Sequence, residues 1–460
     1  MIAVKFYDRE EELDALEKAY SRAGADFIVV SGRRRIGKSR LIDEFARGKD
    51  SISLFVVPKE ERQVAKDLEA EVRSKLGYSP SFSTFREAME YLFERNVGLI
   101  CLDEFPNALV ANPAIPFELQ RLWDRYRGSR EVLLVVSGSY AGMMKRLFTA
   151  GRAPLFNRAT CTITLQPLPL KTVVEMLRDL GIDEPSEQVC FYCVFGGVPY
   201  YYLLLERLED RSFEKAVCAL FFGVGAQLSE EGESLLRQEF GNAYARYYAI
   251  LDAINAGSVS MNEISQRLGI RSTTLMKYMH ALQHDFRLVE RVVPFGENPV
   301  RSKRGLYSIS DNTLAFWFSL VYGKRSAPTG DELRSFIGRR FEALCREFLV
   351  SILEREGERV VRAGKWWGSV EVERGKFEQR EIDLVVETDR ALYLGECKWV
   401  DQQVGERELR WLIASSRAFA KSKKPIKLAL FSKRGFEIQG RDDLLLYDAE
   451  RIVGDLRCSH

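Results

Sequence analysis

Gly32-Arg33-Arg34-Arg35-Ile36-Gly37-Lys38-Ser39 reads G-x-x-x-x-G-K-S. An apolar run, Phe27-Ile28-Val29-Val30, precedes it and has the character of a buried strand. Leu41-Ile42-Asp43-Glu44-Phe45 follows and reads as the start of a helix. A strand, a glycine-bearing turn and a helix in that order form a phosphate-binding loop. Glycine lets the backbone N–H groups turn inward toward phosphate oxygens, and the helix N-terminus adds partial positive charge. In that loop Lys38 reaches the β- and γ-phosphates and Ser39 ligates Mg²⁺. Arg33, Arg34, Arg35, Ile36 and Arg40 complete the stretch expected to line the nucleotide.

Working outward, the apolar stretches at 27–31, 52–57, 98–102 and 132–137 alternate with helical patterns, which predicts a parallel α/β sheet over residues 1–165. Ligands in such sheets bind at the carboxyl ends of the strands, where 32–39 falls. Asp8-Arg9-Glu10-Glu11 predicts a helix cap with an acidic first turn. Leu99-Ile100-Cys101-Leu102-Asp103-Glu104 is a buried strand ending in two carboxylates. Asp103 suits a hard cation, and Glu104 suits the orientation or deprotonation of an attacking water. The strand at 131–136 ends in Ser137-Gly138-Ser139. Ser139, with Ser137 as the alternative, is expected to touch the γ-phosphate or the water, or else simply to cap the next helix. Arg152 and Arg158 are candidates for stabilising transition-state charge, in cis or across a subunit interface, as well as ordinary solvated arginines.

Residues 166–238 read as a helical lid containing Gly196-Gly197-Val198-Pro199. Residues 239–325 read as a winged helix: helix, Gly269 turn, a second helix from Arg271, then two strand-like runs around Gly296-Glu297-Asn298-Pro299. Arg271, Lys277, Arg301, Lys303 and Arg304 are its candidate phosphate contacts. An internal packing role for the module stays open. Residues 330–460 read as helix, strands, a helix near 406–420 and a final strand near 427–431.

In that last segment, Arg380-Glu381-Ile382-Asp383-Leu384-Val385-Val386-Glu387 and Leu392-Tyr393-Leu394-Gly395-Glu396-Cys397-Lys398 flank a four-residue turn. If 387 pairs with 392, then 383 opposes 396, and Asp383, Glu396 and Lys398 share one face. Opposed carboxylates repel unless a cation lies between them. D…E-x-K therefore suits Mg²⁺ or Mn²⁺ with Lys398 steadying a phosphate, against the plainer reading of a salt-bridged surface hairpin. Trp366 and Trp367 either stack on bases or cover the sheet.

Composition sets outer limits. The chain has 460 residues, enough for three or four domains. Lys+Arg (68) and Asp+Glu (66) nearly cancel, so nucleic-acid binding must come from local patches. Eight cysteines in so long a chain predict reduced thiols, and Cys190 and Cys193 read as core. Three histidines, at 280, 284 and 460, are too few for His-based catalysis or metal binding. No apolar run has membrane-spanning length, and Met1-Ile2-Ala3-Val4-Lys5 lacks a signal-peptide layout, which predicts a cytoplasmic protein.

The set Phe6-Tyr7-Asp8-Arg9-Glu10, the phosphate loop, Leu102-Asp103-Glu104, Ser137-Gly138-Ser139, Asn157-Arg158-Ala159 and Gly196-Gly197-Val198-Pro199 resembles the archaeal ATPase family of the AAA+-related STAND lineage of P-loop NTPases. That resemblance implies a winged helix followed by a PD-(D/E)XK nuclease-like domain. It implies Pro199 near the adenine, and Glu342 as the acidic helix residue accompanying Asp383, Glu396 and Lys398. The expected cofactors are ATP and Mg²⁺. The expected partners are ATP or ADP and DNA, with a homo-oligomer left open and no membrane. Three functions compete: an ATP-driven DNA-acting enzyme, a nucleotide-controlled switch that binds without cleaving, and an ATPase serving a protein assembly.

Overall fold

A computed structural model describes residues 5–139, 141–149, 151–373 and 375–455; residues 1–4 and His460 lie outside these. The chain forms two compact units, one of residues 1–168 with 198–200, the other of 169–197 with 201–460. The helical lid, the winged helix and the C-terminal segment thus belong to one unit, apart from 198–200.

The first unit is built on five parallel strands: β1 (Ala25–Gly32), β2 (Ser51–Phe55), β3 (Leu99–Asp103), β4 (Val132–Gly138) and β5 (Cys161–Leu165). Their order is β2-β3-β4-β1-β5. The inner strands β3 and β4 are buried along their whole length, as continuous apolar runs covered on both faces must be. Phe27, Ile100, Leu134 and Trp123 meet in the core beside them. Strand β5 was not among the expected strands. It is an edge strand, with Cys161, Thr162 and Thr164 exposed, so its apolar signal is only two residues deep. The opening helix Glu10–Tyr20 does form, yet Asp8 is not its cap: Arg9 takes that position in a left-handed conformation, and no side chain closes the helix end.

The second unit opens with helices Leu170–Asp179 and Pro185–Phe195, and later Phe213–Phe221 and Glu231–Phe240. Cys190 and Cys193 lie in Pro185–Phe195, and burial raises both thiols, Cys190 to about 12. The winged-helix pattern appears as helices Tyr244–Asn255, Met261–Leu268 and Ser272–His280 with the antiparallel hairpin β6 (Val289–Val292) and β7 (Leu306–Ile309). Ser260 and Glu263 form a reciprocal capping box at Met261–Leu268, and Gly269 closes that helix at φ +62°. The rings of His280 and His284 lie with centres 4.6 Å apart, tilted at 54° to each other.

Helix Gly330–Arg355 then leads into β8 (Val360–Glu373), β9 (Lys376–Thr388), β10 (Leu392–Lys398), β11 (Ile426–Ser432) and β12 (Leu444–Asp448). Sheet order is β12-β11-β10-β9-β8, with β8, β9 and β10 antiparallel and β10, β11 and β12 parallel. The expected last strand, near 427–431, is β11; β12 and the helix Ala449–Asp455 follow it. Among the described residues, no helix is long and apolar enough to cross a membrane.

Candidate active sites

The loop after β1 turns through Gly32 (φ +154°), Arg35 (φ +69°) and Gly37 (φ +101°) into helix Lys38–Ala46. A Cβ at Gly32 would lie 3.1 Å from Ile36 and 3.2 Å from Leu165, so backbone approach there needs glycine. Buried Lys38 extends across the loop, its Nζ donating to the carbonyls of Gly32 (3.2 Å) and Arg33 (3.3 Å) and to Ser139 Oγ (2.9 Å). Ser39 Oγ donates to Asp103 Oδ2 at 2.5 Å.

β4 lies between β1 and β3, and its last residues bond to both the lysine and the acids. Ser137 donates to Asp103, and Ser139 donates to Glu104, whose carboxylate also accepts the Ser139 N–H at 3.2 Å. Glu104 takes a left-handed conformation (φ +50°), and its N–H donates to Asp103 Oδ1 (3.0 Å) and Ser137 Oγ (3.3 Å). Lys38 Nζ is then 3.8 Å from Glu104 Oε1. Lys38, Ser39, Asp103, Glu104, Ser137 and Ser139 are one hydrogen-bonded set. Burial, then the Asp103 charge, pushes the nearby Asp43 carboxyl above its ordinary range, with Arg40 opposing.

Pro199 starts helix Pro199–Leu205, and its ring stands 3.9 Å from the position a Gly37 Cβ would take. Arg35 lies over the Tyr200 ring at 4.2 Å. Arg34 is half-buried and Arg40 exposed. Arg158 stands in an ion pair. Its guanidinium pairs with Asp124 (2.9 Å) and donates to the Phe156 carbonyl (2.8 Å), which ties it to helix Ile115–Tyr126.

In the second unit, the β9–β10 ladder pairs Glu387 with Leu392 and continues to Leu384 opposite Gly395. Asp383 and Glu396 follow at the next position, both buried. Asp383 Oδ2 accepts the Cys397 N–H at 2.8 Å, and Lys398 Nζ donates to Glu396 Oε1 at 2.5 Å. Burial and then the Asp383 charge raise Glu396 to about 7, and the same two causes raise Glu342, on helix Gly330–Arg355, to about 7. Asp383 is raised by burial and held back by the Cys397 N–H.

Glu342 is expected to share one cation with Asp383 and Glu396, and the Asp383 charge acts on both glutamates. Among the described residues no group of three His, Cys, Asp or Glu side chains is placed to hold a metal. Glu342 is 3.8 Å from Lys365 Nζ, which donates to Glu381 at 2.7 Å. Burial works against the Lys365 charge, yet Glu381 and Glu342 leave it above its ordinary range. Sequence reading missed Lys365. It sits where the β8–β9 register shifts between Gly364 and Trp366, and such an irregularity re-aims a side chain in a way that strict alternation does not foretell.

On the winged helix, Arg271, Lys277, Arg301 and Lys303 are exposed. Arg304 is not available in the same way: it pairs with Glu297 (2.9 Å) and donates to the Trp367 carbonyl. Trp366 packs edge-on against Phe419 at 5.8 Å.

The five-strand parallel sheet and its glycine loop define a P-loop ATPase domain, followed by a separate C-terminal sheet domain. Residues 6–205 match the family described as an ATPase domain predominantly from Archaea, and residues 318–410 match a family described as Archaea bacterial proteins of unknown function. Over 472 residues the chain is 28% identical to an uncharacterized protein of Methanocaldococcus jannaschii, covering 97% of this chain and 99% of that one. An uncharacterized ATP-binding protein of the same organism is 44% identical over 46 residues, 10% of this chain and 78% of that one. The solved Walker-type ATPase of Pyrococcus abyssi shares the fold, with a TM-score of 0.52 at 19% identity over 68% of this chain and 96% of that one.

Proposed function

We propose that the chain hydrolyses Mg-ATP in its first unit and acts on DNA through its second, where the sheet domain is a nuclease-like module. The observation that carries the first half is the single network joining Lys38, Ser39, Asp103, Glu104 and Ser139. Inward N–H groups and Lys38 take the β- and γ-phosphates. Glu104 orients the attacking water and accepts its proton. Ser139, bonded to both Lys38 and Glu104, registers the γ-phosphate between them. Ser39 and Asp103 bring two hard oxygens together, which fits Mg²⁺; bound there, the ion would neutralise phosphate charge.

The second half is supported by two desolvated carboxylates beside Lys398. Mg²⁺ is commonly held by one or two carboxylates and several waters. Asp383 and Glu396 suit that requirement without Glu342, and the ion would activate water there. Lys398 steadies the phosphate, and Glu342 stays paired with Lys365.

Lys38→Ala is expected to abolish nucleotide binding or turnover. Glu104→Gln is expected to bind ATP normally and to slow single-turnover hydrolysis about 100-fold or more. Unchanged turnover in Glu104→Gln protein removes that residue from the mechanism. Cleavage assays on several DNA structures with Mg²⁺ or Mn²⁺ test the second unit. Binding without cleavage on every DNA favours a regulatory switch.

A further inference from the structure

We propose that the wing hairpin and the acidic site form one clamp for duplex DNA, with β8 as its spine; this rests on the reading that the second unit acts on DNA. Lys365 joins the two parts. Its carbonyl, left out of the regular ladder by the register shift, accepts the Phe295 N–H from the wing at 2.9 Å. Its side chain reaches Glu381 and Glu342. Two further contacts fix the wing to the same strand. Arg304 donates to the Trp367 carbonyl, and the Arg362 guanidinium lies 4.3 Å from the Phe295 ring centre. Arg304 is therefore a brace, while its neighbours Arg301 and Lys303 are exposed and have no side-chain partner among the described residues.

Scale and charge select the ligand. Lys365 and Trp367 are about 7 Å apart along an extended strand, at roughly 3.3 Å per residue. The wing and the carboxylates therefore fall within the reach of about one duplex turn, roughly 34 Å. A single strand would need open aromatic faces for its bases. Trp366 is packed on Phe419, and Trp367 lies beside the Arg304 and Lys365 cations, each 6.0 Å from its ring centre. Neither tryptophan thus offers an open stacking face, while Arg301 and Lys303 offer cations for a phosphate backbone.

The test uses the full chain and a fluorescent duplex of about two turns, read by anisotropy against salt. Arg301→Gln with Lys303→Gln is expected to reduce the salt slope by about 1.8, at about 0.9 per lost phosphate contact. Iron–EDTA is tethered in turn at Val300→Cys on the 92% exposed wing tip and at Ser369→Cys on β8, with Cys161, Cys218 and Cys458 replaced by Ser. Both tethers are expected to cut the same duplex, at two clusters separated by a constant offset within one turn. Cuts from Val300→Cys alone overturn the clamp while leaving DNA binding intact. Binding and cutting of single strands in preference to duplex overturn the duplex assignment. No anisotropy change with any DNA overturns the underlying reading itself.

Discussion

At the scale of single residues, the two sites differ in how they hold charge. Around Lys38 the acids are matched by a cation and by hydroxyl donors. Ser139 is the joint of that arrangement, so Ser139→Ala removes one hydrogen bond from Lys38 and one from Glu104. A bond of this kind contributes about 1–1.5 kcal/mol, which predicts a roughly tenfold lower kcat. ATP affinity, measured by titration calorimetry, should change little. Around Asp383 the acids outnumber what burial tolerates. Glu342 and Glu396 both bind protons more tightly when folded, at about 7 against an ordinary 4.5. Their stabilising effect is therefore complete below about pH 4.5 and lost as pH rises through about 7. The thermal midpoint of the second unit should fall between pH 5 and 8, roughly in proportion to those two protons, and Glu396→Gln should flatten the profile.

At the scale of elements, close packing places Ser137 and Ser139. A Cβ on Gly138 would stand 2.6 Å from Met144 Sδ and 2.7 Å from the Pro106 ring. Gly138→Ala must therefore move the end of β4, at a cost of about 1–3 kcal/mol. Turnover should fall with it even though no catalytic atom is removed, and paired denaturation and kinetic measurements would show both. Much of this layer was legible in the sequence. The phosphate loop and Asp103-Glu104 follow from an apolar strand meeting glycine or acid, and the Glu387–Leu392 pairing agrees with a four-residue turn at Thr388-Asp389-Arg390-Ala391. Other elements left a weaker trace. Strand β5 buries one face at a sheet edge, and β12 is five residues of Leu444-Leu445-Leu446-Tyr447-Asp448, too short for periodicity to separate strand from helix. Lys365 and the Arg304 brace depend on a register shift and on contacts between distant segments, neither of which spacing encodes.

At the scale of the whole molecule, the chain crosses between its two units at 168/169, 197/198 and 200/201. The ATPase unit is therefore not one contiguous segment: residues 198–200, including Pro199 beside Gly37, come from within the helical stretch. Each unit nevertheless has its own sheet and its own acids, since Lys38, Asp103 and Glu104 lie in the first and Glu342, Asp383, Glu396 and Lys398 in the second. Hydrogen-bond networks confined to separate units, with no shared partners, predict chemistry that can be removed one site at a time. Asp383→Ala or Lys398→Ala should abolish metal-dependent DNA cleavage while ATP turnover without DNA stays within about twofold of the parent. Lys38→Ala should do the reverse to ATP turnover and leave the affinity of the second unit for duplex in the absence of nucleotide unchanged. The decisive measurement is steady-state ATP hydrolysis of Asp383→Ala protein: a loss as large as that of Glu104→Gln would mean that the two sites are one catalytic system, and the division of labour drawn from the two cores would fall.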